Sequence, residues 1–359
     1  MWIKELALKI YFLLRLPLIY LMLLCFGKRD VKKYIEVSKI MLLRLDRLGD
    51  LVLTIPVLDN IKLYYPDARI AVMVRPSLEG VAKLIGSIDA ISVYRDFFSA
   101  VKMLKEAHFD LVIDMLADYR FRPAALAFLS GAPKRIGFSG GYKELLFTDV
   151  VAKGRIGRSM VDINLDIVRQ LGIPVKIETP RIVLREPQKI SEKNLVAIHP
   201  GGFYPSQRWG ADRFAYIAGM VRDRYDVDVV IIGGPGEEIL VEEILKKARL
   251  DRTEAIFPEA GELASVISRS RLLICNNSGP LHLAAALGIP TVSIMGPTDP
   301  DLWWPQGENQ IVIRKDLKCS PCNRGYCKIH TCMESVTVEE VFEKVKGALD
   351  HLDGIKRNK

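Results

Sequence analysis

The sequence predicts an α/β chain of two Rossmann-like units in tandem, facing a cleft and preceded by a hydrophobic segment. Three observations carry this reading. From Lys39 onward, short aliphatic runs alternate with amphipathic stretches, the pattern of parallel strands covered on both faces by helices. The alternation breaks at a proline- and charge-rich stretch, ETPRIVLREPQKISEK (178–193), and then begins afresh. Glycine-bearing turns follow several of the runs, at the strand ends where open α/β sheets hold their ligands.

The elements follow in order. Residues Ile10 to Gly27 form an apolar run of 18 residues interrupted by Arg15 and Pro17. A spanning helix needs about 20 apolar residues, so an interfacial or re-entrant anchor is favoured over a spanning helix or a segment packed on the protein itself. Lys4, Lys9 and Arg15 can snorkel toward headgroups, and Lys28, Arg29, Lys32 and Lys33 form a basic cluster behind the run. Residues 1–38 are therefore read as a membrane-associating segment. Strands are expected at 39–45, 69–74, 90–94, 110–115 and 134–138, making a first domain of residues 39–185. A second set at 195–199, 228–232, 255–257, 272–276 and 291–295 makes a domain of residues 186–335, and a last helix fills 336–359.

Composition narrows the function. The 359 residues are 49% hydrophobic and 26% charged, the balance of a folded protein, and the net charge of +8 suits an anionic partner. The first apolar run lacks a small-residue cleavage site, so a reducing, cytoplasmic setting is expected and a disulfide framework is not. There is no Walker loop and no HExxH. Gly234 and Gly236 lack the third glycine of a dinucleotide fingerprint, and Gly137-Phe138-Ser139-Gly140-Gly141 matches GxSxG without a helix behind it.

Four stretches carry chemistry. In LLRLDRLGDLVLTIP, an apolar strand ends at Leu45 and a helix begins near Asp50. Asp50 is either a first-turn carboxylate favoured by the helix dipole or a general base facing the cleft. In HPGGFYPSQRWGADRF, Gly201 and Gly202 let backbone amides approach a ligand, while Ser206 and Arg208 can donate to phosphate oxygens. In IIGGPGEE, Glu238 or Glu237 can accept from ribose hydroxyls, and Glu238 is the residue taken for the donor set. In NNSGPLHLAAALGIP, a helix N-terminus near Ser278 and Gly279 offers free amides to a diphosphate; His282 lies one turn in, as ligand or as structural partner. Asn277, and Thr298 in the MGPTDP loop, complete the expected donor-binding set at the same sheet edge.

Taken together, GDLVLTIP, HPGGFYPSQRW, NNSGPLHLAAALGIP and MGPTDP resemble the motifs of glycosyltransferase family 9, the heptosyltransferases of lipopolysaccharide core assembly, over Lys39 to the end. The resemblance implies the GT-B fold, with the nucleotide donor on the C-terminal domain and the acceptor on the N-terminal one. It implies an inverting transfer without metal or other cofactor, with Asp50 as base and ADP-heptose or a similar nucleotide-diphosphate sugar as donor. The acceptor would be lipid-linked or lipopolysaccharide, reached by a cytoplasmic enzyme held peripherally on the inner membrane. Two positions depart from the family: Gln207 replaces its usual lysine, and Asn277 its usual aspartate. These departures keep open a nucleotide-sugar-binding protein with impaired catalysis.

Cys319, Cys322, Cys327 and Cys332 follow C-x2-C-x4-C-x4-C. The spacing admits a structural zinc, a redox-sensitive tail or a merely structural one. A nucleic-acid partner is not expected, because basic and aromatic residues are not interleaved there.

Overall fold

The computed structural model describes residues 12–27, 36–152, 154, 156–184 and 194–357. The basic cluster at 28–33, Lys4, Lys9 and the second half of the expected linker lie outside the described residues.

The chain forms two compact units. The first runs to Asp46, resumes at Thr54 into the 150s and takes in Val161–Glu178; the second holds Arg47–Leu53, Ile156–Met160 and everything from Thr179. The sequence reading put the Asp50 turn in the first domain and made the C-terminal helix a separate element. Both belong to the second unit. Each unit is built on one six-stranded sheet in which every pairing is parallel.

The first sheet comprises β1 (Lys39–Arg44), β2 (Arg69–Val74), β3 (Ala90–Val93), β4 (Leu111–Asp114), β5 (Lys134–Phe138) and β6 (Asp149–Val151), in the order β3-β2-β1-β4-β5-β6. The second comprises β7 (Leu195–His199), β8 (Asp228–Ile232), β9 (Ala255–Ile256), β10 (Ser270–Asn276), β11 (Thr291–Ile294) and β12 (Gln310–Ile313), ordered β12-β11-β10-β7-β8-β9. The two orders are the same arrangement. Strand order reverses between β1 and β4 and again between β7 and β10, which places a ligand crevice outside each pair of carboxyl ends.

The central strands are apolar because helices cover both of their faces. After its first residue β1 is buried throughout, and β10 is buried over its whole length. In the first unit Met41, Leu43, Met73 and Val112 pack against Ala124–Phe128 of the Phe121–Leu129 helix, together with Ile19 and Met22 of the helix Leu16–Phe26. In the second, Ile198, Ile231 and Ile274 pack against Phe214, Ile217 and Val221 of the Ala211–Arg224 helix and Val341 and Val345 of the Val338–Arg357 helix. Fully burying one such side chain contributes about 1.5–3 kcal/mol.

Two short strands, β6 and β12, were not read from the sequence. The Gly137–Gly141 stretch is a strand end and a turn: Gly140 and Gly141 have φ of 140° and 65°, and a 3₁₀ turn, Lys143–Leu146, follows instead of a nucleophile-bearing helix.

At the carboxyl edge of the first sheet, Arg44 is buried and donates to Thr54 Oγ1 (2.7 Å), Met115 O (2.8 Å) and Asp46 Oδ2 (3.1 Å). Beside it, Lys143 and Asp114 form an ion pair of 3.2 Å with both side chains fully buried. Lys143 also donates to Leu116 O (2.6 Å).

Candidate functional site

The second unit's crevice is assembled around the last residue of β10. Asn276 ends an apolar strand, yet it is fully buried and its amide is spent on backbone. Its Nδ2 donates to Pro200 O (2.7 Å) and Gly201 O (3.1 Å), and its Oδ1 accepts from Trp209 N (3.1 Å). Each such neutral bond contributes about 1 kcal/mol. Together they fix the Pro200–Trp209 loop to the end of the neighbouring strand.

That loop and the one after β8 present converging amides. Gly202 N (3.2 Å) and Gly234 N (2.8 Å) both donate to the Glu237 carboxylate. His199 Nε2 and Arg208 Nη2 stand 3.7 and 3.8 Å from the same group. A methyl group at Gly201 would come within 2.2 Å of the Glu237 oxygens, so any side chain there would displace the carboxylate. Paired amides turned on a carboxylate have the geometry of an anion nest. Glu238, the acid singled out in the sequence, is instead exposed and accepts from Gly236 N (3.3 Å). Both acids open the same helix, and only the turn geometry decides which points inward.

The Gly279–Ala286 helix begins directly after β10. Ser278 precedes it in extended conformation, and no side chain caps its first turn. The Ser278 hydroxyl donates to Asn276 O (3.3 Å) and lies 3.4 Å from His199 Nδ1. Uncapped amides and the helix dipole favour an anion at this end. Packed on the same end is the Leu48–Val52 helix, which carries Asp50 in its first turn. A methyl at Gly279 would lie 3.0 Å from Leu48 Cβ, and one at Gly49 would lie 3.1 Å from His282 Cδ2. Asp50 is half-buried. Arg47, at the start of that helix, lays its guanidinium over Phe203, 3.5 Å from the ring centroid. The sequence reading missed Arg47 and Phe203, whose partnership joins residues far apart in the chain.

Burial holds both histidines of the crevice neutral. His282 is pushed down to about 4 by desolvation, and its Nδ1 is buried without a hydrogen-bond partner among the described residues. His199 is also pushed down by burial, with Glu237 opposing and Arg208 reinforcing the shift. The His282 shift predicts acid sensitivity. Its folded-state pKa lies below the unfolded value of 6.5, so the associated stability is present above that pH and is lost as pH falls toward 4. A shift of this size corresponds to about 3 kcal/mol, so His282→Gln is expected to flatten the pH dependence of urea unfolding between 6.5 and 4. An unchanged slope would rule out the assigned protonation.

Other sequence-selected residues are tied into the frame. Ser206, expected to donate to a phosphate, is buried and its hydroxyl donates to Arg324 O (2.5 Å). Asn277 Nδ2 donates to Trp303 O (3.2 Å). Thr298 is buried, with Gln207 Nε2 3.4 Å from its hydroxyl oxygen. Arg208 Nε donates to Gly202 O (3.0 Å).

The cysteine segment is a strap across two of these loops. Gly325 O accepts from Ser206 N (3.4 Å), and His330 Nε2 donates to Ser206 O (2.7 Å). Cys322 N (3.0 Å) and Asn323 N (2.8 Å) donate to Pro297 O, and Ser320 Oγ donates to Gly296 O (2.7 Å). All six cysteines are free thiols, and among the described residues no cluster of three or more His, Cys, Asp or Glu is placed to hold a metal ion. Hydrogen bonds from the His330 and Ile329 amides lower the Cys327 thiol, while burial raises Cys332.

The chain is similar to known proteins in family and fold. A model of glycosyltransferase family 9 (heptosyltransferase) matches residues 97–332. Lipooligosaccharide heptosyltransferase 2 of Campylobacter jejuni is 32% identical over 191 residues, 50% of this chain, and the chain spans only 57% of that protein's length. Lipopolysaccharide heptosyltransferase 3 of Escherichia coli is 27% identical over 296 residues, 73% of this chain and 85% of the relative. Among solved structures, that of E. coli ADP-heptose lps heptosyltransferase II superimposes with a TM-score of 0.75 at 21% identity, over 88% of this chain and 100% of that one. A glycosyl transferase family 9 structure from Veillonella parvula gives 0.76 at 22% identity, over 89% and 99%. The fold is the GT-B fold of these structures.

Proposed function

Because the chain belongs to glycosyltransferase family 9, we propose that it moves a heptose or related sugar from a nucleotide-diphosphate donor to a lipopolysaccharide core or other glycolipid acceptor. One observation carries this reading: the Asp50-bearing helix packs directly on the uncapped end of the Gly279–Ala286 helix.

The chemistry follows from that juxtaposition. ADP-heptose or a similar donor lies across the second unit, its diphosphate on the first-turn amides near Ser278 and Gly279 and beside Arg208. Asp50 takes the proton of an acceptor hydroxyl as its oxygen attacks the anomeric carbon from the face opposite the leaving group. The anomeric configuration inverts, and the departing diphosphate's charge is met by preorganised amides. These groups supply the leaving-group stabilisation without a metal. The first unit receives the acceptor, and the enzyme works on the cytoplasmic face of the inner membrane, held peripherally.

A screen of sugar nucleotides for protection against thermal unfolding tests the reading. ADP-heptose at about 100 times its Kd is expected to stabilise the fold by about 2.7 kcal/mol. No stabilisation by any diphosphate sugar would contradict the proposal. A second reading, a donor-binding protein with impaired catalysis, draws on the neutral residues Gln207 and Asn277. Gln207→Lys restores a cation near Thr298 and is expected to tighten donor binding about 10-fold, by roughly one charge-assisted hydrogen bond. Equal affinities of the two forms in calorimetry would remove Gln207 from the donor site.

A further inference from the structure

The Leu16–Phe26 helix is apolar on every side, but only one side of it is covered. Ile19 and Met22 are buried in the first unit's core. On the other side Leu18, Tyr20, Leu21 and Leu24 are exposed, Leu24 to 83%, and Leu13 and Leu14 just before the helix are exposed as well. Soluble surfaces scatter such residues singly, and a contiguous face of them marks an interaction surface. No helix among the described residues is long and apolar enough to cross a membrane.

The start of this segment is bound to one particular turn. Arg15 Nη1 donates to Tyr119 O (2.7 Å), and Phe12 packs edge-on against Tyr119 with ring centroids 5.4 Å apart. Phe12 also fills the space over Gly141, where a methyl group would come within 2.8 Å of its ring. Tyr119 and Gly141 lie in the loops after β4 and β5, at the carboxyl edge of the first sheet. That turn carries Asp118 and Arg120, paired at 2.6 Å.

We propose that the outward face of the Leu16–Phe26 helix lies in the plane of an anionic lipid bilayer and, through Phe12 and Arg15, holds the Tyr119 turn at the lipid surface. The charge pattern selects this occupant. The sequence places Lys4 and Lys9 before the helix and Lys28, Arg29, Lys32 and Lys33 directly after it, with Asp30 as the only acid in that following cluster. An apolar stripe with cations on both sides of it in the sequence matches acyl chains beneath anionic headgroups, with apolar burial and electrostatic attraction adding. The functional consequence rests on the reading of the first unit as acceptor side: a lipid-anchored acceptor is then met by the turn that the helix carries to its own bilayer.

The test is sedimentation of the full chain with vesicles of equal parts phosphatidylglycerol and phosphatidylethanolamine, against pure phosphatidylcholine. The chain is expected to partition onto the anionic vesicles, with high salt weakening the association. Leu18→Glu/Leu24→Glu is expected to reduce partitioning at least about 10-fold, with melting temperature and ADP binding unchanged. Equal partitioning of the double variant, or no partitioning of the parent chain, overturns the proposal. So does a parent dimer that the double variant converts to monomer without vesicle binding, because the face would then pair with a second copy. Transfer to a deacylated acceptor by a chain that ignores vesicles would refute the docking alone. Vesicle binding with no transfer at all would refute the transferase reading alone.

Discussion

Asp50→Asn is expected to lower kcat for sugar transfer by about 10³-fold, the contribution of a well-placed general base, while donor affinity stays within about 2-fold. The asparagine amide keeps the size and polarity of the side chain but cannot take the acceptor's proton. The helix holding position 50 is also fixed by its own backbone and by its neighbours. Its backbone is closed by Leu51 N to Arg47 O (3.0 Å) and Leu53 N to Gly49 O (2.9 Å), and its seat on the Gly279–Ala286 helix is made by Leu48 and Gly49. Melting temperature measured beside kcat separates chemistry from folding. Single-turnover kinetics with calorimetry of the donor measures both quantities in one preparation. A kcat within 10-fold of the parent would assign proton removal to another group.

Lys143→Met is expected to destabilise the protein by about 3–5 kcal/mol, because it leaves the Asp114 carboxylate fully buried without its cation. Burial raises Asp114 in opposition to Lys143, and removing the lysine leaves desolvation opposed mainly by the Leu116 amide, 2.9 Å from Oδ1. For a protein of this size the melting temperature is expected to fall by about 4–7 °C. Asp114→Leu/Lys143→Met removes both charges and is expected to recover most of that loss, since apolar replacements of buried pairs are often neutral or better. Calorimetric melting of the three forms checks the prediction. A double variant as unstable as Lys143→Met would show that the pair shapes the loops after β4 and β5 beyond its charge balance.

The two cases mark what could be read in the chain. A parallel strand buried on both faces announces itself as an unbroken apolar run, so KIMLLR, RIAVMV and LLICN were legible. β6 holds only three residues, and β12 stands behind a polar loop, so neither run stood out. The helix-end site near Ser278 was legible because strand, cap-forming residues, proline and small residues follow one another. The choice between Glu237 and Glu238 was not, because neighbouring first-turn acids differ only in the direction the turn gives them. The bond from the Ser206 hydroxyl to Arg324 O was not legible either, because its acceptor is 118 residues away. The apolar character of residues 10–27 was plain, but only packing shows that Ile19 and Met22 are covered while Leu18, Leu21 and Leu24 are not.

In the mechanism proposed above, Asp50 and the uncapped helix end perform an inverting transfer from a nucleotide-diphosphate sugar without a metal. The most direct measurement is the anomeric configuration of the product, read from its proton–carbon coupling by NMR after ADP-heptose and a deacylated core acceptor are turned over in excess EDTA. Full turnover with the configuration opposite to that of the donor is expected, with no product from Asp50→Asn in the same time. A product that retains the donor configuration, or turnover that EDTA abolishes and a divalent cation restores, would contradict that mechanism.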